Sequence, residues 1–133
     1  MEDRELIALA ATARGRAYAP YSNYAVGAAI LAASGEVYSG CNVENASYGL
    51  SMCAERTAAF KAVCAGEREF SAIAVVTQNG VTPCGACRQV LAEFGPRMRI
   101  LVADVEGNCC EYRLPQLLPE PFGPSDLPGQ QSI

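Results

Sequence analysis

The chain has 133 residues, half of them apolar and 18% charged, a composition that suits one filled globular domain over residues 1–133 and argues against disorder. Its formal net charge is −4 and its pI about 4.8, so a polynucleotide or an anionic membrane would meet the wrong sign of charge. No apolar run approaches the roughly 20 residues that span a bilayer, and Met1-Glu2-Asp3-Arg4 lacks the basic-then-apolar pattern of a secretory signal, so the expected compartment is the cytosol.

Residues 4–18 place Leu6, Leu9, Ala10, Ala13 and Ala17 on one face and predict a helix, stopped by Pro20. Pro20-Tyr21-Ser22-Asn23-Tyr24 predicts an irregular corner. Residues 26–33 form an apolar run, Ser34-Gly35 a turn, and residues 36–41 a returning strand, together a hairpin. Residues 42–52 are small and polar and predict a loop. A second helix is expected over 53–65, ended by Gly66. Residues 70–77, with Ile73, Ala74, Val75 and Val76, predict a strand buried on both faces. A third helix is expected over 84–94, stopped by Gly95-Pro96. A buried strand over 98–105, a turn at Glu106-Gly107-Asn108, a closing strand over 109–113 and a short helix over 115–118 complete the order. The last stretch, with Pro119, Pro121, Pro124 and Pro128, is expected to be extended or mobile, with residues 125–133 a mobile tail. A hairpin followed by strand-helix-strand alternation implies an α/β fold with a mixed sheet of five strands and helices on both faces.

Seven cysteines and no histidine stand in the chain. In a reducing compartment they point to metal ligation or burial rather than to a disulfide framework. Cys53-Ala54-Glu55 and Pro83-Cys84-Gly85-Ala86-Cys87 offer three thiolates at two predicted helix starts, where thiol pKa values fall. Three ligands leave a tetrahedral zinc one open position for water, which separates a catalytic zinc from a structural one. Glu55 stands where it can move protons to and from that water. Three thiolates outweigh a zinc dication by one charge. Arg56, three residues beyond Cys53 on the same helical face, is the candidate to offset that charge by donating to the sulfurs, with Arg88 the weaker one. A structural zinc would need a fourth ligand; Cys41 is the best rival, and Cys64, about three turns along the helix of Cys53, cannot reach.

These motifs resemble the cytidine deaminases of the small, homotetrameric, zinc-dependent type. The resemblance runs from about Tyr21 to Leu127. It rests on Pro20-Tyr21-Ser22, Val26-Gly27-Ala28-Ala29, Asn42-Val43-Glu44-Asn45, Cys53-Ala54-Glu55-Arg56, Pro83-Cys84-Gly85-Ala86-Cys87-Arg88-Gln89, Leu117-Leu118-Pro119 and Phe122-Gly123-Pro124. It implies a three-layer α-β-α sandwich and hydrolysis of cytidine and deoxycytidine to the uridine nucleoside and ammonia, a step of pyrimidine salvage. It also implies that Asn42 and Glu44 hold the ribose 3′-hydroxyl and that the backbone of Ala54 meets the pyrimidine edge. Tyr24 takes the place of a phenylalanine that stacks on the base. Phe122 and Tyr48 match residues that cross to a neighbouring subunit, so a homotetramer with shared active sites is implied. Independently, the Glu44 carboxylate, in a loop without Lys or Arg, disfavours a nearby phosphate and hence nucleotides.

Three other readings compete. A deaminase of the same fold could act on a nucleoside antibiotic such as blasticidin S; the Asn42-x-Glu44-Asn45 segment and Phe122 argue against it. A non-catalytic structural-zinc or thiol-redox module is the second, and polynucleotide editing, disfavoured by the acidic charge, the third.

Overall fold

The computed structural model describes residues 1–129. Helix α1 spans Asp3–Arg14, strands β1 Gly27–Ala32 and β2 Val37–Cys41, helix α2 Ala54–Cys64, strand β3 Phe70–Val76 and helix α3 Gly85–Phe94. Strands β4 (Arg99–Ala103) and β5 (Cys109–Arg113) and the short helix α4 (Leu114–Leu117) follow, with single 3-10 turns at Tyr48–Leu50 and Pro124–Asp126. The five strands form one mixed sheet in the order β2-β1-β3-β4-β5. Only β3 and β4 run parallel; the other neighbours are antiparallel.

Period-two alternation divides the sheet between two cores. Ala28, Ile30, Ile73, Val75, Ile100 and Val102 face the layer of α2 and α3. Ala29, Ala72, Ala74, Val76, Leu101 and Ala103 face α1 through Leu6 and Ala10. Runs such as Ile73-Ala74-Val75-Val76 are apolar throughout because both faces are covered. The result is the expected three-layer α-β-α sandwich around a five-stranded mixed sheet.

Helix α2 carries the residues that matter most, and its seat is close. Ala54, Ala58, Ala59 and Ala62 are fully buried along one face. A Cβ at Gly40 of β2 would come within 2.6 Å of the Ala58 nitrogen and 2.9 Å of the Ala54 oxygen, so backbone lies against backbone there. On the other side, a Cβ at Gly27 would fall 2.0 Å from the Ala10 carbonyl oxygen of α1.

The first helix ends at Arg14 instead of running to residue 18. Tyr18 is drawn into a bridge with Val43, its N–H donating to the Asn42 carbonyl at 3.0 Å and its carbonyl accepting from the Glu44 N–H at 2.8 Å. The 42–52 stretch is a tied loop, closed by a second bridge between Val43 and Met52. Of the expected mobile tail, Pro124–Asp126 forms a turn whose Asp126 carboxylate accepts from the Gly123 N–H at 2.8 Å. Residues 130–133 of that expectation lie outside the described residues.

Candidate functional site

Cys53 and Cys84 are not in the first turns of their helices. Each is the residue before, in extended conformation (φ −73°, ψ 150° and φ −66°, ψ 167°), with its carbonyl accepting the first helical bond from Thr57 and Arg88 at 3.0 Å. This half-in position aims both side chains across the helix starts, where the peptide dipoles favour negative sulfur. Cys87, one turn into α3 and fully buried, joins them.

The sulfurs of Cys53, Cys84 and Cys87 all lie within 4.8 Å of one another. Cys53 and Cys84 are 3.9 Å apart, Cys84 and Cys87 3.5 Å. A tetrahedral zinc with Zn–S bonds near 2.3 Å sets its sulfurs roughly 3.8 Å apart, so the trio fits that ion. Among the described residues no fourth Cys, Asp or Glu joins the group. The rival Cys41 points elsewhere, its thiol donating to the Arg16 carbonyl at 3.5 Å.

Arg56 reaches the cluster, its Nη2 donating to the Cys53 sulfur at 3.3 Å. Its Nε is buried with no protein partner. Hydrogen bonding to Cys87, helped by Arg56 and opposed by burial, brings the Cys53 thiol down to about 5. The same contact with Cys53, then burial and the Glu55 charge, drives Cys87 upward. A divalent cation reverses that second effect, because metal binding displaces thiol protons. Arg88 does something different: it donates to the Pro83 carbonyl at 2.7 Å, the Leu117 carbonyl at 2.8 Å and Thr82 Oγ1 at 2.9 Å. It braces the loop that delivers Cys84, and Arg56 alone of the two serves the sulfurs.

Glu55 is 5% exposed. Burial pushes its carboxyl up to about 7, opposed by its own backbone N–H and by Arg56, with the Cys53 charge adding to the rise. Such a carboxyl can hold or release a proton near neutrality. It lines a cavity of about 320 Å³ together with Cys53, Ala54 and Cys84, and with Tyr24, Asn42 and Glu44. The sequence therefore named residues from four separate segments that the fold brings around one space.

The polar residues of that cavity are held. Asn42 Oδ1 accepts from the Val26 N–H at 2.9 Å and its Nδ2 donates to the Tyr24 carbonyl at 2.8 Å. Glu44 accepts from the N–H groups of Tyr21 and Ser22 at 2.9 and 3.1 Å and from the Ser22 hydroxyl. The Ser22 hydroxyl, ahead of the backbone donors, holds the Glu44 carboxyl below its usual range, so it is an anion at neutral pH. One amide proton of Asn42 and one carboxylate lone pair of Glu44 remain free of these bonds.

Tyr48 and Phe122 are not brought to this cavity. Tyr48 packs edge-on to Tyr21 at 5.9 Å and lines an adjoining space of about 290 Å³ that shares Ser22, Glu44 and Ser51. Phe122 is 59% exposed, and its carbonyl accepts from Gln89 Nε2 at 2.7 Å. Sequence reasoning missed Ser22, Thr77 and Thr82 as cavity residues. Ser22 stands in the Pro20-Tyr21-Ser22 motif without an assigned role, and Thr77 is the last residue of the strand expected over 70–77.

A family description, the cytidine and deoxycytidylate deaminase zinc-binding region, matches residues 1–103. The chain belongs to the cytidine deaminase family. It is 49% identical over 130 residues to a cytidine deaminase of Sporosarcina psychrophila, covering 96% of each chain. A cytidine deaminase of Halalkalibacterium halodurans is 48% identical over 130 residues, 96% of this chain and 98% of that one. The crystal structure of a cytidine deaminase from Burkholderia pseudomallei superposes with a TM-score of 0.89 at 50% identity, covering 92% of this chain and all of that one. The fold, zinc as the metal and cytidine deamination as the activity follow from this membership together with the three-sulfur cluster. Among the described residues no helix is long and apolar enough to cross a membrane.

Proposed function

We propose that this chain deaminates cytidine and deoxycytidine as free nucleosides, with Glu55 as the proton carrier. The observation that carries this reading is the position of Glu55, buried in the wall of the cavity that also meets the sulfur cluster. A zinc ion held by Cys53, Cys84 and Cys87 would supply Lewis-acid activation of a water. Glu55 takes a proton from the attacking water and passes it to N3 of the base as oxygen bonds to C4. It then takes the second water proton and returns it to the amine as the C4–N bond breaks, leaving the uracil nucleoside and ammonia. The backbone at Ala54 meets the pyrimidine edge and the Tyr24 ring lies on its face. The free amide proton of Asn42 and the free lone pair of Glu44 hold the ribose 3′-hydroxyl.

The Glu44 anion supports a nucleoside over a nucleotide, since residues 42–52 contain no Lys or Arg to neutralise a phosphate. The exposure of Tyr48 at 75% and Phe122 at 59% supports the reading that both reach a neighbouring copy in a homotetramer with shared active sites.

The test is direct. Purified protein is incubated with cytidine, cytidine monophosphate and blasticidin S, each with and without a chelator, and ammonia and the uracil product are measured. Cytidine is expected to be the preferred substrate and the chelator to stop its turnover. Comparable turnover of cytidine and its monophosphate would overturn the nucleoside reading.

A further inference from the structure

The Tyr24 hydroxyl donates to Asn79 Oδ1, 55 residues further along the chain. We propose that Asn79 is a positioning residue: through this bond it holds the Tyr24 ring in place before substrate arrives, and the pair thereby sets the affinity for the pyrimidine. The inference rests on the reading that the Tyr24 ring lies on the base.

Both ends of the bond are anchored independently. At the Tyr24 end the backbone is fixed, its N–H donating to Ser22 Oγ at 3.0 Å and its carbonyl accepting from Asn42 Nδ2 at 2.8 Å. The ring itself still has two side-chain torsions, and its hydroxyl is its single polar handle. At the other end, Asn79 sits on the loop between β3 and α3, beside a left-handed Gly80 (φ +69°). The buried Thr77 hydroxyl accepts from the Gly80 N–H at 2.8 Å and the Val81 N–H at 3.2 Å, and Arg88 ties down Thr82 and Pro83 just beyond. The loop is thus a firm post, and Val81 and Thr82 from the same loop line the cavity with Tyr24.

A phenylalanine, which the family resemblance implies at this place, could not make the tie. Immobilising one side chain on binding carries an entropic cost that a pre-formed bond removes, an effect of about two- to tenfold in affinity. Asn79 is exposed, so replacing it opens no cavity in the core.

The experiment measures kcat and KM for cytidine in the zinc-loaded enzyme and in Tyr24→Phe, Asn79→Leu, the double variant and Asn79→Asp. Tyr24→Phe and Asn79→Leu are each expected to raise KM about two- to tenfold while kcat moves less than about twofold. The double variant is expected to be no worse than either single one, and Asn79→Asp, which keeps the acceptor, to restore the KM of the parent. Parental KM in Asn79→Leu, or single effects that multiply in the double variant, would overturn the proposal. Tyr24→Ala separates the two levels. If it leaves KM unchanged, the stacking reading falls and the tie with it; if it raises KM while Asn79→Leu does not, only the tie falls.

Discussion

The Arg56 guanidinium donates to the Cys53 sulfur at 3.3 Å from three residues further along the chain. One helix start therefore supplies a sulfur, the guanidinium that donates to it and, between them, the Glu55 carboxyl. An all-sulfur donor set carries more negative charge than one with imidazole, and charge on the ligands weakens a metal's pull on water. The chain has no histidine, so the proposal that Arg56 offsets the sulfur charge can be tested.

Arg56→Gln keeps a polar side chain but removes the charge. Turnover of cytidine is expected to fall about 10- to 100-fold, with weaker zinc retention, as for other groups that support a metal's ligands. Steady-state kinetics and zinc analysis check it. Parental turnover with parental zinc content would remove the role.

Gly40→Ala probes the seat of α2. The new Cβ would meet the backbone of Ala54 and Ala58 at 2.9 and 2.6 Å, with no flexible side chain to yield. A loss of about 1–3 kcal/mol is expected from such overpacking, read by denaturant unfolding. Because α2 carries Glu55 and directly follows Cys53, zinc retention is expected to fall with it. Unchanged stability would contradict the close seat of α2 on β2.

Far from the cavity, Arg99 links Asp3 of α1 to Glu111 of β5 at 2.6 and 2.9 Å. The hydrogen bond from Arg99, rather than burial, holds both carboxyls below their usual range. A carboxyl lowered in the folded state stabilises it above the unfolded pKa and loses that contribution as pH falls through the folded value. The stability gap between the parent and Arg99→Ala is therefore expected to be present at pH 7 and to shrink below about pH 4. It is expected to be small and salt-sensitive, because the groups are exposed. Unfolding midpoints at several pH values check it; a gap that widens on acidification contradicts the assignment.

The sheet and its helices were legible because their evidence is local. An apolar run such as Ile73-Ala74-Val75-Val76 announces a doubly covered strand, and Cys-x-x-Cys beside Cys-Ala-Glu announces a metal. What escaped depended on partners distant in sequence. Nothing near residue 14 says that Tyr18 will leave the helix to bridge Val43. Nothing around Arg88 says that its guanidinium will brace the Pro83 and Leu117 carbonyls instead of the sulfurs. The bond from Tyr24 to Asn79 closes a 55-residue separation that no periodicity encodes. Tyr48 and Phe122 stay outside the cavity of their own chain, which nothing in their local sequence announces.

Glu55→Ala, assayed for both bound zinc and cytidine turnover, tests most directly whether three sulfurs hold the metal while a separate carboxyl moves the protons. Zinc is expected to stay bound as in the parent, with kcat lowered about 10²- to 10⁴-fold. Near-parental turnover, or loss of the metal together with the carboxyl, would contradict it.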